Sequence, residues 1–139
     1  MNLLNNKYTI ISIVYLSLIF IQSSIPSERI PHMTILTFDK LIHAIIYFIA
    51  AILIYLAIRE HRPFDTGKIA LLTFTITVFY GLSDEIHQYF VPGRHASFRD
   101  FLADTAGVTA GLLIVHVIRK RYFNSNSDHL KNMNHSQEL

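Results

Sequence analysis

Apolar residues gather in four long blocks along the chain, and short polar segments separate them. In chain order the blocks read YTIISIVYLSLIFIQSSIPS, LIHAIIYFIAAILIYLAI, IALLTFTITVFYGLS and FLADTAGVTAGLLIVHVI. A bilayer core about 30 Å thick is crossed by roughly 20 mostly apolar residues in a helix. The first two blocks meet this length. The third does so only if its helix continues to Phe90, and the fourth only if Asp104 lies within the span.

Proline and glycine mark the places where the blocks end. Pro26 and Pro31 separate the first block from the second, and Pro63 separates the second from the third. Between the third and fourth, Pro92-Gly93 suits a tight turn, because glycine tolerates a positive φ. The predicted helices cover about 8–25, 39–60, 67–90 and 98–121.

The predicted fold class is therefore all-α, a four-helix transmembrane bundle formed by residues 1–123. Residues 124–139, NSNSDHLKNMNHSQEL, are polar and lack periodicity, which predicts a short disordered tail. A soluble four-helix bundle is the alternative, but its helices would carry polar outer faces, and residues 41–58 show almost none. The first block could instead be a secretory signal; no A-x-A-like cleavage site follows it, so we expect a retained helix.

The positive charges predict how the bundle lies in the membrane. The side that holds both termini carries eight of the 12 Lys and Arg residues, namely Lys7, Arg59, Arg62, Lys68, Arg119, Lys120, Arg121 and Lys131. The opposite side carries Arg29, Lys40, Arg94 and Arg99. Because cytoplasmic loops carry the excess of Lys and Arg, both termini are predicted to be cytoplasmic.

Composition excludes two classes of function. The net charge is only +2, and the chain has no basic stripe with interleaved aromatic residues, so we expect no nucleic-acid partner. There are no cysteines, which excludes a disulfide framework and a thiolate metal site.

In this orientation, polar residues from three helices converge at the outer end of the bundle. They are Asp39, Lys40, His43 and Tyr47 in the second helix, Asp84, Glu85 and Gln88 in the third, Arg94 in the following loop, and Asp100 and Asp104 in the fourth. Carboxylates at membrane depth are costly unless they are paired, protonated or in contact with water, and they commonly mark a functional site. The sequence therefore predicts a functional polar pocket in the outer leaflet.

Simpler roles remain open for the residues at the helix ends. Asp39 in a first turn favours the positive end of the helix dipole, and Lys40 can extend to the membrane interface. Ser97 to Asp100 matches S-x-x-D, a variant of the capping box that satisfies free N–H groups at a helix start. The end of the third helix, with Asp84 and Glu85, could also lie wholly in the interface.

Arg94 and Asp104 require partners. The guanidinium of Arg94 can bind a carboxylate or a phosphate through two hydrogen bonds, so we expect it over the carboxylates of the cluster. Asp104 lies too deep in the fourth helix to cap it, and Lys40, His43 or Arg94 could supply its partner.

No local motif indicates a metal or cofactor. Asp84 and His87 are three residues apart, but this is a single carboxylate-x-x-His pair where di-iron bundles need two, and there is no H-E-x-x-H. We therefore expect no metal and no cofactor. Gly107 and Gly111 form a GxxxG pattern that favours close helix packing, within the bundle or in a homo-oligomer.

The combined motifs resemble one known family. The stretch DKLIHAIIY matches D-K-x-x-H-x-x-x-Y, and DEIHQYFVPGR matches D-E-x-x-Q-x-F-x-P-G-R. With Asp100, Asp104, Gly107 and Gly111, and with Ser23 and Pro26 upstream, they resemble the VanZ-like family of small bacterial membrane proteins. This family usually has Asn where the chain has Asp104, which puts in doubt any role that needs an amide at that position.

The resemblance implies a multi-pass protein of the bacterial cytoplasmic membrane. The family's namesake is associated with teicoplanin resistance, and its biochemical activity is not established. The leading hypothesis is a protein that binds or modulates an envelope component, with Lys40 and Arg94 on the anionic head group of a lipid or a lipid-linked wall precursor. A membrane enzyme acting on a lipid-linked phosphate substrate is the second, and a small oligomeric transporter or channel the third. A phosphotransbutyrylase label on some relatives has no support in these residues.

Overall fold

The computed structural model describes residues 6–26, 36–61 and 65–137, with side chains described over 6–26, 39–61 and 65–122. These ranges form four α-helices, namely α1 (Lys7–Ser23), α2 (Leu36–His61), α3 (Thr66–Tyr89) and α4 (Phe98–Gln137). No strand occurs in them, so the predicted all-α fold class is confirmed. The predicted breaks at Pro31 and Pro63 lie outside the described residues.

Three of the helices are long and apolar enough to cross a membrane, over Asp39–His61, Thr66–Tyr89 and Phe98–Tyr122. The remaining helix, α1, is also apolar but has only 17 residues. At about 1.5 Å per residue it spans about 25 Å, near the lower limit for a transmembrane helix.

The outer surface of the bundle is apolar. Large hydrophobic side chains such as Leu71, Phe79, Leu113 and Ile118 are well exposed on α3 and α4. A soluble protein rarely exposes contiguous apolar surface on this scale. The chain is therefore a membrane protein in contact with lipid, and the soluble bundle considered above does not fit.

Helix α2 packs against all three other helices, and its contact with α4 is the most extensive. The two glycines of the GxxxG pattern lie at this contact. A Cβ atom added at Gly107 would be 2.1 Å from the carbonyl oxygen of Ala44, and one at Gly111 would be 2.8 Å from that of Phe48. Glycine therefore lets the backbone of α4 lie directly on that of α2.

Polar groups inside the bundle bond mainly to backbone carbonyls. The hydroxyls of Thr73 and Thr77 donate to the carbonyls one turn earlier in α3, at 2.8 and 2.7 Å. Between helices, the Tyr15 hydroxyl donates to the Ile46 carbonyl, and the Tyr80 hydroxyl donates to the Leu16 carbonyl. These bonds satisfy groups that lipid cannot solvate.

The end of α4 differs from the sequence prediction. Its backbone continues as helix to Gln137, where we expected a disordered tail from residue 124. A helix that is already nucleated adds residues without a new nucleation cost, and the Asn, Ser and Lys residues there lower helix propensity only modestly. A polar, aperiodic sequence therefore did not end the helix.

Candidate functional site

One end of the bundle, here called the loop end, is where α1 and α3 finish and α2 and α4 begin. The α3–α4 turn closes it, and Gly93 has the positive φ, 72°, that its position after Pro92 predicts. The polar cluster at this end consists of Asp39, Lys40, His43, Tyr47, Asp84, Glu85, Gln88, Asp100 and Asp104. Six of these residues are buried, namely Tyr47, Asp84, Glu85, Gln88, Asp100 and Asp104.

Lys40 joins α2 to α4. Its ammonium group donates to Asp39 Oδ2 at 2.9 Å and also to Asp100 Oδ1. The side chain of Asp39 is 51% exposed, whereas that of Asp100 is 11% exposed. Lys40 is therefore held between two carboxylates and is not directed only to the membrane interface.

The expected capping box at the start of α4 is not formed. The backbone N–H of Ser97 donates to Glu85 Oε2 at 2.8 Å, so the carboxylate that caps α4 comes from α3. The carboxylate of Asp100 is engaged by Lys40, because a charge-assisted hydrogen bond is stronger than one to a neutral N–H.

His43 is the partner of Asp104. The distance from His43 Nδ1 to Asp104 Oδ1 is 3.0 Å, and Asp104 is only 1% exposed. The sequence left Lys40, His43 and Arg94 open as partners of Asp104, and the structure shows that the partner is His43.

Three buried carboxylates share a common pattern. Asp84 accepts from the Gln88 amide at 3.1 Å, Glu85 accepts from Ser97, and Asp104 pairs with His43, each through one oxygen. The second oxygen of each, Asp84 Oδ1, Glu85 Oε1 and Asp104 Oδ2, is buried and has no hydrogen-bond partner among the described residues. The same is true of the Tyr47 hydroxyl.

Arg94 does not lie over the carboxylates. Its Nε donates to the Ile25 carbonyl and its Nη2 to the Gln22 carbonyl, both at 3.2 Å. The last carbonyls of a helix have no partner within the helix, so the end of α1 offers acceptors that a guanidinium can reach. The predicted contact of Arg94 with the carboxylates is therefore absent from the part of the chain that is described.

His87 also turns away from the cluster. Its Nε2 lies 2.9 Å from the Ser24 hydroxyl, and its ring stacks on Phe20 with 4.5 Å between ring centroids. The Asp84–His87 pair considered as metal ligands is thus divided between two surfaces of α3.

Gly81 is a site residue whose role the sequence did not reveal. A Cβ atom there would be 3.1 Å from the Tyr47 ring and 3.5 Å from Asp104 Oδ2. A glycine inside a helix is a signal of close approach. Here it gives room to the ring of Tyr47 and to the free oxygen of Asp104.

Two groups of side chains bring potential metal ligands together. In one, His43, Glu85 and Asp104 each place a ligand atom within 4.8 Å of the other two. In the other, Asp39, His43 and Asp100 do the same. Neither group is local in sequence, because each takes residues from at least two helices.

A comparison with protein families gives one match. The family model described as VanZ/LLP1 matches residues 3–119. No curated protein and no solved structure matches the chain. The matched range includes the whole polar cluster, the α3–α4 turn and the glycines that pack α4 on α2.

Proposed function

This chain belongs to the VanZ/LLP1 family, and from that membership we propose that it acts at the bacterial cell envelope. In this proposal it is a multi-pass protein of the cytoplasmic membrane with both termini inside. Its polar cluster lies in the outer leaflet and binds or modulates an envelope component, such as a lipid-linked wall precursor. The consequence for the cell is lower susceptibility to teicoplanin.

The observation that carries the proposal is the set of buried, unpaired carboxylate oxygens of Asp84, Glu85 and Asp104. A polar network that serves stability alone is expected to satisfy its members, because an unpaired buried acceptor costs about 1–3 kcal/mol. Acceptors that remain free at membrane depth support a role in binding.

The contacts of the basic residues support a ligand that brings positive charge. Lys40 is already held by Asp39 and Asp100, and Arg94 by the carbonyls of Gln22, in α1, and Ile25, just after it. To hold an anionic head group, as the sequence suggested, each would have to give up these contacts. The unpaired carboxylate oxygens are acceptors, so we expect the positive charge to come from the envelope component or from an ion between it and the cluster.

The direct test is the teicoplanin susceptibility of a sensitive Gram-positive host that expresses this chain, with vancomycin measured in parallel. We expect the wild-type chain to raise the inhibitory concentration of teicoplanin several-fold and Asp84→Asn to return it to the level of the empty vector. Ser83→Ala is the matched control, because Ser83 is exposed and its hydroxyl donates only to the Tyr80 carbonyl of its own helix.

Membrane levels of the three chains must be equal for this comparison. An unchanged inhibitory concentration with the wild-type chain would contradict the role in teicoplanin susceptibility. Full resistance with Asp84→Asn would contradict the proposed role of the polar cluster in teicoplanin susceptibility.

A membrane enzyme acting on a lipid-linked phosphate substrate is the second candidate, and one observation favours it. The imidazole of His43 is held by the buried Asp104 at 3.0 Å, and a histidine oriented by a carboxylate is the usual arrangement of a general base. The carboxylate of Glu85 could also act as a base, but its Oε2 accepts from the backbone N–H of Ser97. Loss of a general base in His43→Gln would abolish turnover, whereas a binding protein would only be weakened.

A further inference from the structure

We infer that His43, Glu85 and Asp104 bind a divalent transition-metal ion such as Mn²⁺ within the bundle. The inference adds a resident ion to the proposed binding site, and the purified protein tests it without reference to teicoplanin. It also replaces the expectation, drawn from local motifs, that the chain holds no metal.

The ligand atoms are already close together. His43 comes from α2, Glu85 from α3 and Asp104 from α4, and each places one ligand atom within 4.8 Å of the other two. Donors bound to one ion at about 2.0–2.2 Å lie within such distances of each other.

The unpaired oxygens are the second and independent observation. Glu85 Oε1 and Asp104 Oδ2 are buried and have no partner among the described residues, and Asp84 Oδ1 shares this condition. All three residues are more than nine-tenths buried. A cation held by Glu85 and Asp104 would satisfy the unpaired oxygens of these two residues.

The charge balance points in the same direction. Asp84, Glu85 and Asp104 can together carry three negative charges, while His43 contributes at most one positive charge. Lys40 does not offset them, since it is shared by Asp39 and Asp100. Buried charges are tolerated when they are paired or coordinate a metal, and a divalent ion meets this requirement at the centre of the group.

The donor types select the class of metal. One imidazole and two carboxylates suit first-row ions such as Mn²⁺, Fe²⁺ or Zn²⁺, whereas Mg²⁺ and Ca²⁺ prefer ligand sets made of oxygen alone. The chain has no cysteine, so no thiolate competes for the ion.

The second group, Asp39, His43 and Asp100, is the weaker candidate. Asp39 is half exposed, and the carboxylates of Asp39 and Asp100 are both already bonded to Lys40. An ion there would have to displace the ammonium group. The variants of the test separate the two groups.

The test is a titration of the purified full chain in detergent with Mn²⁺, followed by electron paramagnetic resonance. We expect one Mn²⁺ to bind per chain, with a ¹⁴N coupling from the imidazole in the pulsed spectrum. His43→Gln should abolish that coupling, and Glu85→Gln and Asp104→Asn should each weaken binding by about tenfold or more. Circular dichroism of each variant verifies that the helices are formed.

His87→Gln is the matched control, because His87 lies at the same end of the bundle but contacts Ser24 and Phe20. It should leave the affinity unchanged. The inference is overturned if the wild-type chain binds neither Mn²⁺ nor Zn²⁺, or if the ¹⁴N coupling is absent. It is also overturned if Asp100→Asn weakens binding while Asp104→Asn does not, because the ion would then lie in the second group.

Discussion

Asp84, Glu85 and Asp104 each divide their two carboxylate oxygens between a bonded position and an unpaired, buried one. The bonded oxygen of Asp104 joins α4 to His43 of α2, and that of Glu85 joins α3 to the backbone N–H of Ser97, just before α4. The bonded oxygen of Asp84 engages Gln88 within α3. The unpaired oxygens make no contribution of that kind. In each of these side chains, one oxygen thus contributes to the structure, and the other is the atom that we propose for binding.

This division predicts opposite effects for two conservative substitutions. Asp104→Asn removes a buried charge but keeps its shape, so we expect the metal-free protein to become more stable. Asp100→Asn removes a partner of Lys40, and we expect the free energy of unfolding to fall by about 1–3 kcal/mol. Denaturation of both variants in detergent, followed by circular dichroism, measures the two signs. A loss of stability in Asp104→Asn would show that His43 needs the charge of its partner.

Arg94 provides a second prediction at this scale. Because its guanidinium donates to carbonyls at the end of α1, Arg94→Ala should destabilise the protein by about 1 kcal/mol. Affinity for Mn²⁺ should stay the same, since no carboxylate of the cluster contacts Arg94 among the described residues. Denaturation and the Mn²⁺ titration, applied to one preparation, separate these outcomes. A large loss of Mn²⁺ affinity without a loss of stability would indicate that Arg94 belongs to the binding site.

The sequence predicted that these polar residues meet at one end of the bundle, but their contacts were only partly predictable. Helical spacing places Asp39, His43 and Tyr47 on one face of α2, and a carboxylate as deep as Asp104 requires a partner. The partner of Arg94 could not be predicted, because backbone carbonyls leave no pattern in a sequence. The cap of α4 by Glu85 depends on how α3 is rotated relative to α4, which a single helix does not specify.

At the scale of elements, the contact between α2 and α4 organises the site. It brings His43 to Asp104 and Lys40 to Asp100, and it depends on the absence of side chains at Gly107 and Gly111. The GxxxG pattern predicted a close helix contact. It did not distinguish a contact within the bundle from one between two copies of the chain.

Gly107→Ala tests this contact. The new methyl group would be 2.1 Å from the Ala44 carbonyl oxygen, so α4 has to move away from α2. We expect a loss of about 1–3 kcal/mol in the free energy of unfolding together with a loss of Mn²⁺ affinity. Ala106→Val is the control, since Ala106 is the neighbouring residue of α4 and is exposed. Equal stability of Gly107→Ala and the wild type would contradict the packing described here.

At the scale of the whole molecule, the helical fold followed from the sequence because a bilayer permits few alternatives. Apolar blocks of sufficient length must form helices, and short connections make neighbouring helices antiparallel. The predicted bounds already made the first helix the shortest, as α1 is, but the sequence did not predict that α4 would continue to Gln137. Helix ends outside the apolar region are set by local propensity and capping, which constrain them weakly.

The central proposal is that the polar cluster lies at the outer face of the membrane. Because the chain has no cysteine, single cysteines can be placed at the exposed positions His95, in the α3–α4 turn, and Lys68, at the other end of α3. We expect a membrane-impermeant maleimide to label His95→Cys in intact cells and Lys68→Cys only after permeabilisation. The reverse pattern would place the polar cluster at the cytoplasmic face and contradict the proposed role at the envelope.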